Sequence, residues 1–443
     1  MTLNGRNPNI FFSLEANVAL NSDQSSPIGR IGWIVRNLFR QIWVRAALFC
    51  IAAVIVALLA ACVGPHLPYD TGLTLASGSV DSILNILATS MLAVTIFSLS
   101  IMVAAYSSAS SQMTPRSVKL LLADPVAQNT LSTFIGSFLF SIVGIIGLTA
   151  GLYQSNGRVL LFFAALVVIL IVVAALLRWI DHLGRFGRVG DTIFRVEKAA
   201  RASLEDVARR PNSGARSPVA LPEKVTPVRS KRSGHVQHTD IEQLDEIAAA
   251  AQLTIHVAVL PGAMVHPREI LMYVEPSTDI DTIEKLCSCF SIGRQREFDN
   301  DPGFGIIVLS EIASRALSPA VNDPGTAIEV ADAGLRLFLA YGDACAAAEP
   351  EPVCKRVHAP SIEIADLLFN FFNPIARDGA AMFEVQLRLI KVLSALAENH
   401  PNLFDAAARE QVCSIIDRSD KAMVSPRDRA RLLAAAGTLL DQA

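Results

Sequence analysis

The chain has 443 residues, 52% hydrophobic and 18% charged, with a mean hydropathy of +0.42. That is too apolar for an ordinary soluble chain, and the excess is concentrated in about the first 180 residues. The formal net charge of −3 says nothing about nucleic acid, and no nucleic-acid partner is among those expected.

Residues 1–43 form an N-terminal region. A polar tail is followed by Ile31, Ile34, Val35, Leu38 and Ile42 on one face of a predicted helix, with Arg36, Arg40 and Gln41 opposite. This reads as an interfacial helix leading into the membrane. The first apolar run begins after some 40 mixed residues, so no cleavable signal peptide is expected.

Residues 44–177 form a transmembrane domain with four predicted spans, at Val44–Val63, Ile83–Ala105, Leu131–Tyr153 and Val159–Leu177. Each is long enough to cross about 30 Å of hydrocarbon. Arg30, Arg36, Arg40 and Arg45 precede the first span, and Arg116 and Lys119 lie between the second and third. Arg178, Arg185, Arg188, Arg195 and Lys198 follow the fourth. The positive-inside rule then puts both termini in the cytoplasm of a bacterial inner membrane.

The second span carries hydroxyls and small residues on one stripe, with Ala93, Ser100, Ala104, Ser107 and Ser111 interrupted by Phe97. Two readings stand. Small residues let helices approach closely, which makes the stripe a packing seam. Alternatively Ser90, Ala93, Phe97, Ser100, Ala104 and Ser107 line a pore, with Phe97 as its constriction. No span has an acidic or basic residue in its interior, which argues against a proton-coupled carrier. Gly147-x-x-x-Gly151 in the third span has the spacing of a helix-packing motif. Met113–Lys119, broken by Pro115, reads as an elbow into a short helix, Arg116–Leu122.

Residues 178–224 form a juxtamembrane helix and a breaker-rich basic linker. Residues 225–278 form a small β module. Leu253, Ile255, Val257 and Val259 alternate with less apolar residues, as do Ile270, Met272 and Val274. The order of strands, helix and Gly-containing turns resembles a barrel-sandwich module of the biotin-carrier type. The modified lysine between two methionines is missing, so no swinging arm and no cofactor are expected. His235, His238, His256 and His266 lack ligand spacing and are read as surface or packing residues, not a metal site. The seven cysteines, Cys50, Cys62, Cys287, Cys289, Cys345, Cys354 and Cys413, contain no Cys-x-x-Cys pair, so free thiols in a reducing compartment are expected.

Residues 279–443 form a helical domain. Its centre is Ala316-Leu-Ser-Pro-Ala-Val-Asn-Asp-Pro-Gly-Thr-Ala327, between two helix-periodic stretches. Pro319 stops the first helix, Asp323 caps the second, and Pro324 takes its first position. Arg296, Asp301, Ser318, Asn322, Asp323 and Thr326 are the candidate polar site. One reading is capping and an Arg–Asp clamp on the hairpin; the other is a shared pocket of Arg296, Asp301, Asn322 and Asp323. Glu311 and Arg315, four apart, read as a helix-surface pair. Four more helices close the chain, at Ile362–Phe372, Met382–Leu396, Phe404–Ile416 and Arg427–Leu440.

The hairpin run resembles the signature of a bacterial "predicted membrane protein" family, domain of unknown function number twenty-two fifty-four. Arg296, Asn300, Asp301, Phe304 and Gly305 resemble a second motif of that family, with Glu297 in place of a threonine and Asn300 in place of a glutamine. Ser111, Gln112, Pro115 and Arg116 match a third. The resemblance implies an integral membrane protein and brings no reaction or substrate with it. No hydrolase elbow, P-loop, dinucleotide fingerprint or zinc-protease motif is present, so no enzyme is expected. The expected class is a four-span membrane α-helical protein with a cytoplasmic α+β domain. Its expected partners are the lipid bilayer, further copies of itself and an unidentified ligand or ion. Two functions fit. One is a homo-oligomeric channel or pore; the other is a membrane-anchored regulatory or scaffold protein whose cytoplasmic domain binds a ligand or partner.

Overall fold

The computed structural model describes residues 42–63, 77–348 and 352–441. The expected interfacial helix at Ile31–Trp43 lies outside the described residues except for its last two positions.

Among the described residues, four helices are long and apolar enough to cross a membrane: α1 (Ile42–Val63), α2 (Ser77–Gln112), α4 (Pro125–Thr149) and α5 (Ser155–Leu183). The short α3 (Val118–Leu122) joins α2 to α4. At 1.5 Å per residue, the 36 residues of α2 run about 54 Å, well beyond the hydrocarbon core, so α2 projects out of the membrane. α4 is the most enclosed span and packs against α1, α2 and α5. Its small residues make room for them. Gly136 lies under the Phe49 backbone, and Gly144 under Leu84 and Leu161. The Gly147-x-x-x-Gly151 spacing does not form a helix seam. Gly147 faces the Tyr153 ring, whose hydroxyl donates to Ala57 O at 2.9 Å, while Gly151 takes φ +70° and ends the helix.

Beyond the membrane, α6 (Val189–Arg209) leaves α5 through a turn at Gly187, φ +77°. Seven strands follow: β1 (Thr226–Arg229), β2 (Gly234–Thr239), β3 (Thr254–Val257), β4 (Met264–Val265), β5 (Ile270–Glu275), β6 (Phe290–Gly293) and β7 (Val357–His358). They form two open sheets, ordered β1-β5-β3-β7 and β4-β2-β6. All pairs are antiparallel except β3 with β7. This replaces the barrel-sandwich likeness and a module confined to 225–278, because β6 and β7 come from outside that range. Helices α7 (Ile241–Ala251) and α8 (Ile280–Ser288) pack with the strands around a core of Val236, Leu244, Ile255, Met272 and Leu286.

The remaining helices are α9 (Pro302–Ala316), α10 (Pro324–Ala347), α11 (Ile364–Asp378), α12 (Phe383–Asn399), α13 (Pro401–Ala422) and α14 (Pro426–Leu440). One apolar core links them to the spans. It runs from Met102, Ala109 and Met113 through Leu121 and Phe186 into α6, α9 and α10, and on to Phe338, Phe371 and Phe404. The spans and the helical domain therefore share packing at the membrane face, with no flexible tether between them.

Candidate functional site: the junction of spans and domain

The segment Met113–Asp124, which turns α2 back into α4, is held by the extramembrane helices along its whole length. Thr114 is buried, and its Oγ1 donates to Glu311 Oε2 of α9 at 3.0 Å. Arg116 pairs with the other Glu311 oxygen. Lys119 Nζ donates to Arg296 O at 3.1 Å and to Glu297 Oε1 at 3.3 Å. Glu311 therefore binds the elbow, and the expected Glu311–Arg315 pair gives way to these long-range partners.

Asp124 ends the segment. It caps α4, accepting from the Ala127 amide at 2.8 Å, with Pro125 at the first helical position. Arg195 of α6 binds its second oxygen and also donates to Asp191 at 2.7 Å. His182 Nε2 of α5 lies 3.2 Å from Asp124 Oδ1. The Asp124 side chain is only 2% exposed. Burial pushes its carboxyl up, but His182, the Ala127 amide and Arg195 outweigh that and hold it at about 2. The rings of Tyr106, Trp179, His182 and Phe186 pack together beside it. One buried anion thus ties α4, α5 and α6 at a single point.

Arg296 and Asp301 form a bidentate pair at 2.6 and 2.7 Å, with the Arg296 guanidinium 5.3 Å over the Phe304 ring. Asp301 also caps α9 through the Phe304 amide. Burial pushes the Asp301 carboxyl up, more than Arg296 and the Phe304 amide lower it. Gly262, at φ +95°, packs directly on this carboxylate, and His235 Nδ1 lies 3.0 Å from Gly262 O. The pair therefore joins α9 to the β module.

Asn322, Asp323, Ser318 and Thr326 sit at the other end of α9. Asp323 caps α10, accepting from Thr326 N at 3.1 Å and Thr326 Oγ1 at 2.6 Å, and these bonds hold its carboxyl below the usual range. Ser318 Oγ donates to Arg315 O at 2.7 Å, and Asn322 takes φ +52°. The 15 residues of α9 separate the two groups by about 22 Å, so the shared pocket of Arg296, Asp301, Asn322 and Asp323 does not exist.

The stripe on α2 points outward from the protomer. Ala93, Phe97, Ser100, Ala104 and Ser107 are exposed and Ser90 is half-buried; the face packed on the chain carries Leu87, Met91, Ser98 and Met102 instead. Among the described residues, nothing packs on this stripe as a helix seam. Sequence reasoning missed Thr114, Asp124, His182, Arg195 and Glu311 as a connected set. Only the Asp-Pro cap at 124–125 and the four-residue spacing of Asp191 and Arg195 were visible locally.

Among the described residues, no group of His, Cys, Asp and Glu has the arrangement to hold a metal ion. His256 and His358 stack at 5.1 Å across the β3–β7 pair and serve packing.

The family model for "Predicted membrane protein (DUF2254)" matches residues 40–395. Two relatives are the uncharacterized proteins Mb1321c of Mycobacterium bovis (strain ATCC BAA-935 / AF2122/97) and Rv1290c of Mycobacterium tuberculosis (strain ATCC 25618 / H37Rv). Each is 25% identical over 351 residues, covering 74% of this chain and 66% of the relative. The chain thus spans just under two thirds of the length of these relatives. No solved structure matches it. With its four apolar helices, its elbow and its capped hairpin inside the matched range, the chain belongs to the DUF2254 predicted membrane protein family.

Proposed function

We propose that the chain is the protomer of a homo-oligomeric channel or pore-forming transport protein in a bacterial inner membrane. In this reading α2 faces the symmetry axis and the extramembrane domain lies in the cytoplasm, as the distribution of basic residues favours.

One observation carries the reading. The outward faces of α1 and α5 are large and aliphatic, with Leu48, Ile51 and Ile55 on α1, and Leu166, Leu170 and Leu177 on α5. Lipid suits such faces. The outward surface of α2 carries Ser82, Thr89, Ala93, Ser100, Ala104, Ser107 and Ser111 among the exposed large residues Ile86, Leu92, Ile96, Phe97, Leu99 and Val103. Small residues favour close contact with another helix. The hydroxyls of Ser82, Thr89 and Ser100 donate to carbonyls of their own helix at 2.8–2.9 Å. Each oxygen keeps lone pairs that can still accept, so the hydroxyls make the surface weakly polar, as a narrow pore wall requires. Phe97, 65% exposed near the middle of α2, is the natural constriction. The elbow below this wall is gripped by Glu311 and, through Lys119, by Arg296 and Glu297, so movement of the domain reaches α2 directly.

A second reading is a membrane-anchored regulatory or scaffold protein. The same intrahelical hydroxyl bonds favour it, because they let α2 sit in lipid as a plain anchor. Currents across planar bilayers containing the purified protein, under varied tension and voltage, separate the two. Discrete unitary currents whose size changes in Phe97→Ser support the pore. A silent bilayer with folded, oriented protein supports the anchor.

A further inference from the structure

The hairpin between α9 and α10 has no role in the junction, yet it is a rigid, self-satisfied element. Val321 N and Asn322 N both donate to Ser318 O, at 3.0 and 2.8 Å, and Asp323 N donates to Ala316 O at 2.8 Å. Ser318 Oγ and the Asp323 carboxylate are used inside the turn. Its outward residues are Pro319, Ala320 and Val321, the last 50% exposed, followed by the polar Asn322 and Asp323.

The helix register fixes where this tip lies. Glu329 of α10 packs over Gly190 of α6, and Arg336 binds Glu197 through two bonds of 2.9 and 2.7 Å. Both contacts share one sequence offset of 139 residues, so α6 and α10 run parallel. α9 runs back between them, with Gly305 against Ala200. All three helices therefore have one common end, where α6 leaves the last span. Pro324 lies five residues, about 7.5 Å, further toward the N-terminal end of α6 than Glu329. The tip extends beyond Pro324 in that direction, toward the turn through which α5, ending at Leu183, joins α6. Arg185, paired with Asp181 at 2.7 Å, and Arg188 and Arg315 are exposed at this same end.

We propose that the Pro319–Val321 tip rests in the headgroup layer of the bilayer that the four spans cross. Val321 and Pro319 supply a small apolar wedge, and the three arginines lie where lipid phosphates are. The carboxylate of Asp323, already tied into the helix cap, stays charged and limits the depth to the interface. The tip gives α9 a second bearing on the membrane besides Glu311, so α9 spans from lipid to the β module. This inference does not depend on α2 lining a pore.

The test places a polarity-sensitive fluorophore on Val321→Cys in the full chain, with its exposed cysteines replaced. The protein is held at one copy per nanodisc of phosphatidylcholine, with and without phosphatidylglycerol. Ala347→Cys, at the far end of α10 and about 36 Å away by helix rise, serves as control. The expected result is blue-shifted emission at Val321, quenched by lipids spin-labelled near the headgroup, while the control is neither shifted nor quenched. Emission at Val321 equal to the control would overturn the proposal. So would a blue shift that appears only with two or more copies per disc and resists lipid quenchers, since the tip would then meet another copy of the chain.

Discussion

A carboxylate as enclosed as Asp124 persists only with partners, because moving a bare charge out of water costs several kcal/mol. Its partners come from three helices, so its contribution is to position as well as to stability. With a folded-state pKa of about 2, below the ordinary value of about 3.9, its stabilisation is fully present above pH 4. It is lost as pH falls from about 4 through about 2. Asp124→Asn keeps the shape but removes the charge that binds Arg195, and is expected to cost about 1–3 kcal/mol at neutral pH. Thermal unfolding in detergent checks this, and the difference from wild type should shrink as pH approaches 2. An equal difference at both pH values would mean that the site works by packing alone. At this scale the sequence was legible only over short range. The Asp-Pro cap at 323 was read, since it depends on neighbours within three residues, while the like cap at 124 was not. Glu311 could not be read, because helix spacing suggests Arg315 and says nothing of Arg116, 195 residues away.

Among the elements, α9 carries most of the connections: elbow at Glu311, β module at Asp301, and α6 along its side. Close approach to α6 depends on Gly305, where an added Cβ would sit 2.5 Å from that of Ala200. Gly305→Ala should force the helices apart and destabilise by about 1–3 kcal/mol. Gly78→Ala, with nothing within 4 Å, should leave the melting temperature unchanged or slightly raised, as alanine favours helix. Equal melting temperatures for the two variants would contradict this packing. Helix periodicity made α9, α10 and the four spans readable in advance. The sheets were readable only in part, because β6 and β7 are four and two residues long and take their identity from distant partners. Gly151 misled for a related reason. Its spacing from Gly147 fits a seam, but the chain ends its helix there.

On the scale of the whole molecule, the apolar runs announced four spans, while the direction in which each face points had to come from packing. The small-residue stripe of α2 was visible in sequence; that α4 takes the opposite face, leaving the stripe outward, was not. The polar site likewise divided in two only once α9 was seen to stand between its halves. In the proposed assembly the outward face of α2 meets another copy of this chain. Disulfide cross-linking in native membranes tests it most directly, using Ser107→Cys in a chain whose seven native cysteines are replaced. Leu170→Cys, 71% exposed on α5, is the lipid-facing control. Covalent dimers are expected on oxidation of Ser107→Cys and none from the control. Monomers from both, or dimers from the α5 position alone, would contradict this contact.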